Sequence, residues 1–254
     1  MGLSASIVLN DLSVTFDIHN ASSRSIRNVI LNKPLGGLIK NNTSTLKVKA
    51  LSNLSLSINS GDRVGLVGHN GSGKSTFLRV LSGIHSPTSG TIKIKGRVSP
   101  LIDLNLGIDP ECTGLENIRI RSAILGIKKN QVESYCADVI NFSGLDDFIN
   151  LPVRTYSAGM RLRLAFATSA MFNPEILIMD EWISVGDDQF RKKITAHLNS
   201  LIGKSEIFII ASHSIKILED SCNRIMWFKK GEIYRDGQTQ NVLREFIDET
   251  KKNS

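Results

Sequence analysis

Apolar and polar residues alternate over residues 7–18 (IVLNDLSVTFDI), the pattern of a half-buried strand. The same period of two returns over residues 47–58 (KVKALSNLSLSI). Residues 19–45, between them, are richer in polar and turn-forming residues. A short apolar-periodic piece at Ile26, Val29 and Ile30, stopped near Pro34 and Gly36-Gly37, reads either as a short amphipathic helix or as part of a solvated loop. Gly61-Asp62 marks a turn into the apolar run of residues 64–67, which a glycine-rich segment and a helical pattern at 76–81 follow. Residues 91–95 form another short strand. From about 105 to 154 the period becomes helical, clearest at 116–125 and 131–142. Strand, helix and strand then resume at 176–179, 189–201 and 207–211. Residues 225–234 read as a hairpin through Lys230-Gly231, and a short charged helix begins near Gln238. Strands alternating with helices predict an α/β scaffold carrying a helical insertion.

Composition narrows the class. A chain of 254 residues is one large domain, or one domain with an inserted lobe. Its 41% hydrophobic content excludes collagen-like and broadly disordered chains. The net charge of +7 is compatible with phosphates, nucleic acid or anionic lipid, and equally with an ordinary basic face. Cys112, Cys136 and Cys222 form no CxxC and no cluster with histidine, so neither a disulfide framework nor a zinc site is expected, and a reducing compartment fits. No apolar run approaches the ~20 residues needed to cross a bilayer. The N-terminus lacks the pattern of a secretory leader.

The chemistry is concentrated in a few segments. Gly68-His69-Asn70-Gly71-Ser72-Gly73-Lys74-Ser75 satisfies every fixed position of GxxxxGK[ST], between an apolar strand and a helix opened by Thr76. Glycines let successive N–H groups turn around a polyphosphate, and the helix N-terminus adds its positive end. Lys74 is expected to reach the terminal phosphates and Ser75 to ligate Mg²⁺, with His69 contributing only backbone. The run at 176–179 ends in Asp180-Glu181. Asp180 suits an indirect hold on Mg²⁺ through the ion's outer shell, and Glu181 a base that polarises attacking water. His213 follows the strand at 207–211, at the end where parallel sheets bind ligands. His19, His85 and His197 show no such placement.

Tyr156-Ser157-Ala158-Gly159-Met160-Arg161 opens an apolar helix ahead of Asp180. It resembles the signature motif of ATP-binding cassette (ABC) ATPases. Ala158 and Met160 depart from the commonest form, Leu-Ser-Gly-Gly-Gln. Tyr-Ser-Ala-Gly-Met is similar to the branch that exports bacterial surface polysaccharides. Ser184-Val185-Gly186-Asp187 resembles that branch's D-loop. The stretches 96–102 and 113–118 resemble its lead into the helical subdomain, and the polar insertion around Ser22–Ser25 its extra N-terminal segment.

The resemblance implies an ABC-type P-loop fold: a mixed, largely parallel sheet flanked by helices, with an antiparallel β subdomain on the N-terminal side. It implies one ATP-binding domain, with core at 1–104 and 174–235, a helical subdomain at about 105–173, an insertion at 19–45 and a terminal helix at 236–254. Ser157, Ala158, Gly159 and Asp187 are expected to complete the ATP site of a second copy in a homodimer. ATP and Mg²⁺ are the implied ligands. The implied partners are a separate integral-membrane permease and, through it, a lipid-linked polysaccharide, with no nucleic acid. The implied place is the cytoplasmic face of the inner membrane. Two positions depart from the family. Its usual glutamine between P-loop and signature is absent, leaving Asp103 or Asn105 in that stretch, and Phe16 stands where an adenine-stacking tyrosine is common. Only 20 residues follow Tyr234, too few for the polymer-binding β-sandwich of ~100 residues that some relatives carry. The alternatives are another exporter's ATPase, or a soluble cassette ATPase acting on ribosomes or DNA. Against the DNA-repair type, Lys74 and Ser157 are 83 residues apart, with no sustained heptads between them.

Overall fold

The computed structural model describes residues 4–19, 38–42, 45–101, 108–171, 174–181 and 188–252. The chain divides into two compact units, one made of 1–98, 178–182 and 206–254, the other of 99–177 and 183–205. The short piece around Ile26, read as helix or loop, together with Asp103, Asn105 and the 184–187 stretch with Asp187, lies outside the described residues.

The first unit holds two sheets. Strands β1 (Ser6–His19), β2 (Leu38–Asn42), β3 (Thr45–Asn59) and β5 (Ser89–Lys95) form an antiparallel sheet in the order β2-β3-β1-β5. The alternation in β1 changes parity: Ile7 and Leu9 are buried, then Leu12 and Val14. A one-residue slip of this kind would turn the apolar set outward, so the strands absorb it as irregularities. Register shifts separate Leu9, Leu12 and Val14 in β1, which lie opposite Leu56, Leu54 and Leu51 of β3. Asp11 (φ 49°) and Asn53 (φ 48°) take the left-handed conformation there. The freed polar groups are paired locally. Ser13 Oγ accepts from Asn53 N–H and donates to Asn53 Oδ1, each at 2.9 Å, and Ser55 does the same for Asp11 at 2.9 and 3.0 Å.

The second sheet contains β4 (Arg63–Val67), β7 (Ile176–Asp180), β8 (Ile207–Ala211), β9 (Arg224–Lys229) and β10 (Glu232–Gln238), in the order β10-β9-β4-β8-β7 within this unit. β4 runs parallel to both β8 and β9, and β10 antiparallel to β9. The uninterrupted apolar runs of β4, β7 and β8 are those of strands covered on both faces. Helix α1 (Lys74–Leu81) buries Phe77, Leu78, Val80 and Leu81, and Phe77 packs on Phe228 of β9 with ring centroids 5.2 Å apart. Burying such a ring contributes about 1.5–3 kcal/mol. Arg224 joins the strands at the other end of β4: it forks onto Asp236 at 2.6 and 2.7 Å and reaches Asp62 at 3.1 Å.

The second unit includes β6 (Val98–Leu101) and helices α2 (Gly114–Ile124), α3 (Val132–Ser143), α4 (Ala158–Ala170) and α5 (Asp188–Lys204). A reciprocal cap starts α2. Thr113 Oγ1 accepts from Glu116 N–H at 3.2 Å, while Glu116 accepts from Thr113 N–H at 2.7 Å. The Thr113 N–H and hydroxyl, both donating to the Glu116 carboxylate, hold that group below its ordinary range. Ile118, Val139, Leu164 and Ala167 share the core of this unit. In the first unit, α6 (Ile215–Ser221), not anticipated from sequence, starts on a Ser214 cap, and α7 (Thr239–Lys252) closes the chain on β9, with Lys229 Nζ 2.7 Å from Glu249.

Candidate functional site

The loop after β4 is shaped by its glycines. Gly68 (φ 144°), Gly71 (φ 77°) and Gly73 (φ 110°) all take positive φ. A Cβ on Gly68 would collide with the Phe228 carbonyl, and one on Gly73 would stand 2.8 Å from the Ala50 carbonyl. The loop is therefore clamped between β3 and the β9–β10 turn, where side chains do not fit. Gly231 of that turn donates its N–H to Ser72 O at 2.9 Å and accepts from Ser52 N–H at 2.9 Å. The hairpin expected from sequence through Lys230-Gly231 thus buttresses this loop.

Lys74 begins α1 with its side chain folded back along the loop. Nζ donates to Gly68 O at 2.7 Å and to His69 O at 3.3 Å. Burial pushes its ammonium below the ordinary lysine range, and Asp180 and Glu181 pull it partly back up. No side chain caps α1, and its first turn carries no acid. The Ser72 hydroxyl is buried with no partner among the described residues.

Facing the loop, β7 ends at Asp180, and Glu181 follows in the left-handed region at φ 72°. For a residue other than glycine this costs of order 1–3 kcal/mol. Glu181 N–H donates to Ala211 O at 2.9 Å. Its Oε2 accepts from the Ser212 hydroxyl at 3.3 Å, and its Oε1 lies 3.9 Å from His213 Nε2.

These groups converge on one cavity of about 620 Å³, lined by residues 70–76, Phe16, Val48, Ala50, Asp180, Glu181 and His213. All belong to the first unit. Phe16 is 38% exposed at this cavity, which is not the environment of a core ring. His85, set aside from sequence, meets Phe16 edge-on with centroids 5.4 Å apart. His85, Gly231 and Ser212 were missed because each acts through a neighbour distant in sequence and none sits in a contiguous motif.

Ser157, Ala158 and Gly159 stand in the second unit. Ser157 Oγ caps α4 by accepting from Met160 N–H at 3.2 Å. Buried Tyr156 donates to Phe148 O at 2.7 Å, and Arg161 donates to Tyr156 O at 2.8 Å. Among the described residues, a Cβ on Gly159 would meet nothing nearer than Ser157 Oγ at 3.9 Å, so their packing does not require glycine there.

A glycine-walled loop leading to an uncapped helix start, with a buried lysine and an unpartnered hydroxyl, fits a polyphosphate. Ser75 and Asp180 line the same cavity and are oxygen donors of the kind that would hold a small divalent cation there. The comparisons with known proteins agree with this class. Residues 51–184 match the ABC transporter family model, and the chain belongs to that family. It is 40% identical to the O-antigen export system ATP-binding protein RfbE of Yersinia enterocolitica, over 91% of this chain and 97% of that one. It is 35% identical to the teichoic acids export ATP-binding protein TagH of Listeria innocua, over 97% of this chain and 71% of that one. The fold matches a dimeric ATP-binding cassette, MJ0796, solved in a post-hydrolysis state with ADP and phosphate. The TM-score is 0.66 at 20% identity, covering 92% of this chain and 98% of that chain.

Proposed function

We propose that this chain drives the export of a cell-surface polysaccharide through a separate permease. As a member of the ABC transporter family it is an ATP-binding, ATP-hydrolysing subunit. The observation that carries the hydrolytic reading is the single cavity on which the phosphate loop, Asp180, Glu181 and His213 converge. Lys74 and the α1 N-terminus hold the phosphates. Ser75 and Asp180 hold Mg²⁺, which when bound supplies charge to offset that of the phosphate oxygens. Glu181 takes a proton from water as the water oxygen bonds to the γ-phosphorus, and the bond to the bridging oxygen breaks with its electron pair leaving on ADP. His213 donates to the γ-phosphate and orients that water.

Two copies pair head to tail. No described residue crowds Gly159, which supports a phosphate brought by a second chain as the reason for glycine at that helix start. The polysaccharide cargo is supported by the names of the O-antigen and teichoic acid relatives. We take the cargo to be lipid-linked and the chain to sit on the cytoplasmic membrane face. No helix among the described residues is long and apolar enough to cross a membrane, so the channel is assigned to the permease.

Phe16 stacks on the base. Phe16→Ala should weaken ATP binding by roughly tenfold, since one base–aromatic stack is worth about 1–3 kcal/mol. Inorganic triphosphate, which has no base, should bind both proteins equally. Calorimetric titration with the two ligands reads the difference, and an equal loss for both ligands removes Phe16 from this role. The transport assignment is tested by purification of the tagged chain from detergent-solubilised membranes. A multi-span membrane protein should accompany it, and deletion of the gene should strip the surface polymer. Co-migration with ribosomes or DNA instead contradicts the assignment.

A further inference from the structure

We propose that Ser212 is a positioning residue for the hydrolytic carboxylate, an inference that rests on the reading of Glu181 as the base. Ser212 is buried directly after β8, and its hydroxyl has one proton to give. Its oxygen accepts the Ser214 N–H at 3.1 Å, which fixes one lone pair. The other short contact is to Glu181 Oε2 at 3.3 Å. An ionised carboxylate only accepts, so the Ser212 proton points at Glu181. At 3.3 Å this bond is long for O–H···O, as catalytic hydrogen bonds often are before the ligand tightens them.

The pair Ala211-Ser212 holds Glu181 twice, at the main chain through the Ala211 carbonyl and at the side chain through the hydroxyl. The Glu181 backbone is left-handed, and its side chain meets the residue that follows β8. With Oε2 engaged, the carboxylate is turned so that Oε1 lies on the His213 side, 3.9 Å from Nε2. Oε1 is then the oxygen that takes the water proton. The Glu181 side chain is about half exposed, so without this tether its head group rotates among several positions, only some of which reach the water. Ser212 touches neither phosphate nor water in this scheme. Its effect belongs on kcat and not on nucleotide affinity.

The test compares Ser212→Ala, Ser212→Thr, Glu181→Gln and the Ser212→Ala/Glu181→Gln double variant in the full chain, by steady-state and single-turnover hydrolysis of ATP. Ser212→Ala should lower kcat by about tenfold with KM unchanged, the size of effect expected for one lost hydrogen bond to a charged group. Ser212→Thr, which keeps the hydroxyl, should restore most of kcat. The double variant should be no slower than Glu181→Gln alone, because the tether has nothing left to position. If Ser212→Ala does not fold, Ser212→Cys keeps the volume, weakens the donor and carries the same comparison. Wild-type kcat in the Ala or Cys variant overturns the proposal. So does a Thr variant as slow as Ala, or an equal further loss in the Glu181→Gln background. Normal turnover by Glu181→Gln itself is a separate outcome, which removes the base reading on which the proposal stands.

Discussion

Glu181→Gln retains ATP binding and loses hydrolysis by roughly 10²–10⁴-fold, the usual contribution of a positioned general base. The amide keeps the size of the carboxylate and cannot take the water proton. The loss belongs entirely to kcat, because Glu181 faces the phosphate loop across the cavity and contributes no group that holds the phosphates. The contacts that hold the position survive the substitution. The Glu181 N–H bond to Ala211 O is a main-chain bond, and the amide oxygen still accepts from Ser212. Thermal unfolding of the variant should therefore match that of wild type. Hydrolysis at the wild-type rate would remove Glu181 from the base role and leave His213 as the group on that side of the cavity.

Lys74→Ala produces the second large effect, on affinity. The Nζ bonds to Gly68 O and His69 O hold the ammonium along the loop, where phosphate oxygens compete for it. Each charge-assisted hydrogen bond is worth about 1.5–3 kcal/mol. Losing bonds to two phosphates should weaken ATP binding by roughly 10²–10⁴-fold and slow turnover with it. The pH dependence has a definite sign. Burial lowers the Lys74 pKa in the empty protein from the ordinary 10.5, with Asp180 and Glu181 opposing the shift. The buried cation thus costs the empty protein stability at neutral pH, and that stability returns as pH rises through the folded value toward 10.5. A bound polyphosphate raises the lysine's pKa again. ATP binding consequently takes up a proton between the two values, and affinity falls as pH climbs through that interval. Calorimetry in buffers of different ionisation enthalpy measures the proton uptake. Unchanged affinity and turnover in Lys74→Ala would contradict the reading of the loop.

The parts of the site legible in sequence are those whose chemistry is contiguous. The 68–75 loop must be written as one run, because its N–H groups act together on one ligand. Asp180-Glu181 and His213 could be found because uninterrupted apolar strands end just before them. The short elements were harder. β6 has four residues including Pro100, and the seven-residue α6 buries only Leu218, so neither carries a full period of its pattern. The change of parity in β1 is visible in the residues, but its cause is not: it depends on left-handed Asp11 and Asn53 lying together on adjacent strands. The clamp on the phosphate loop was hidden for a related reason. The 50–52 and 228–231 segments meet it only through the strand order of the folded unit. Lys230-Gly231 announces a turn, and nothing in the sequence says what the turn leans on. The Phe16–His85 contact likewise joins β1 to the loop after α1.

The claim on which the functional account depends is that two copies of this chain close on ATP, each completing the other's site. Sedimentation of Glu181→Gln with and without ATP measures this directly. The account predicts a single-chain species without nucleotide and, with ATP, a two-chain species holding one ATP per chain. Gly159→Asp tests the geometry in the same experiment. No described residue crowds Gly159, and an acid in the first turn of α4 suits the helix dipole, so the single chain should keep its stability. The same carboxylate would face a partner's γ-phosphate, so the ATP-bound pair should fail to form. A Glu181→Gln protein that stays a single chain in saturating ATP, alongside a wild-type protein that hydrolyses ATP at full rate as a single chain, would contradict the account.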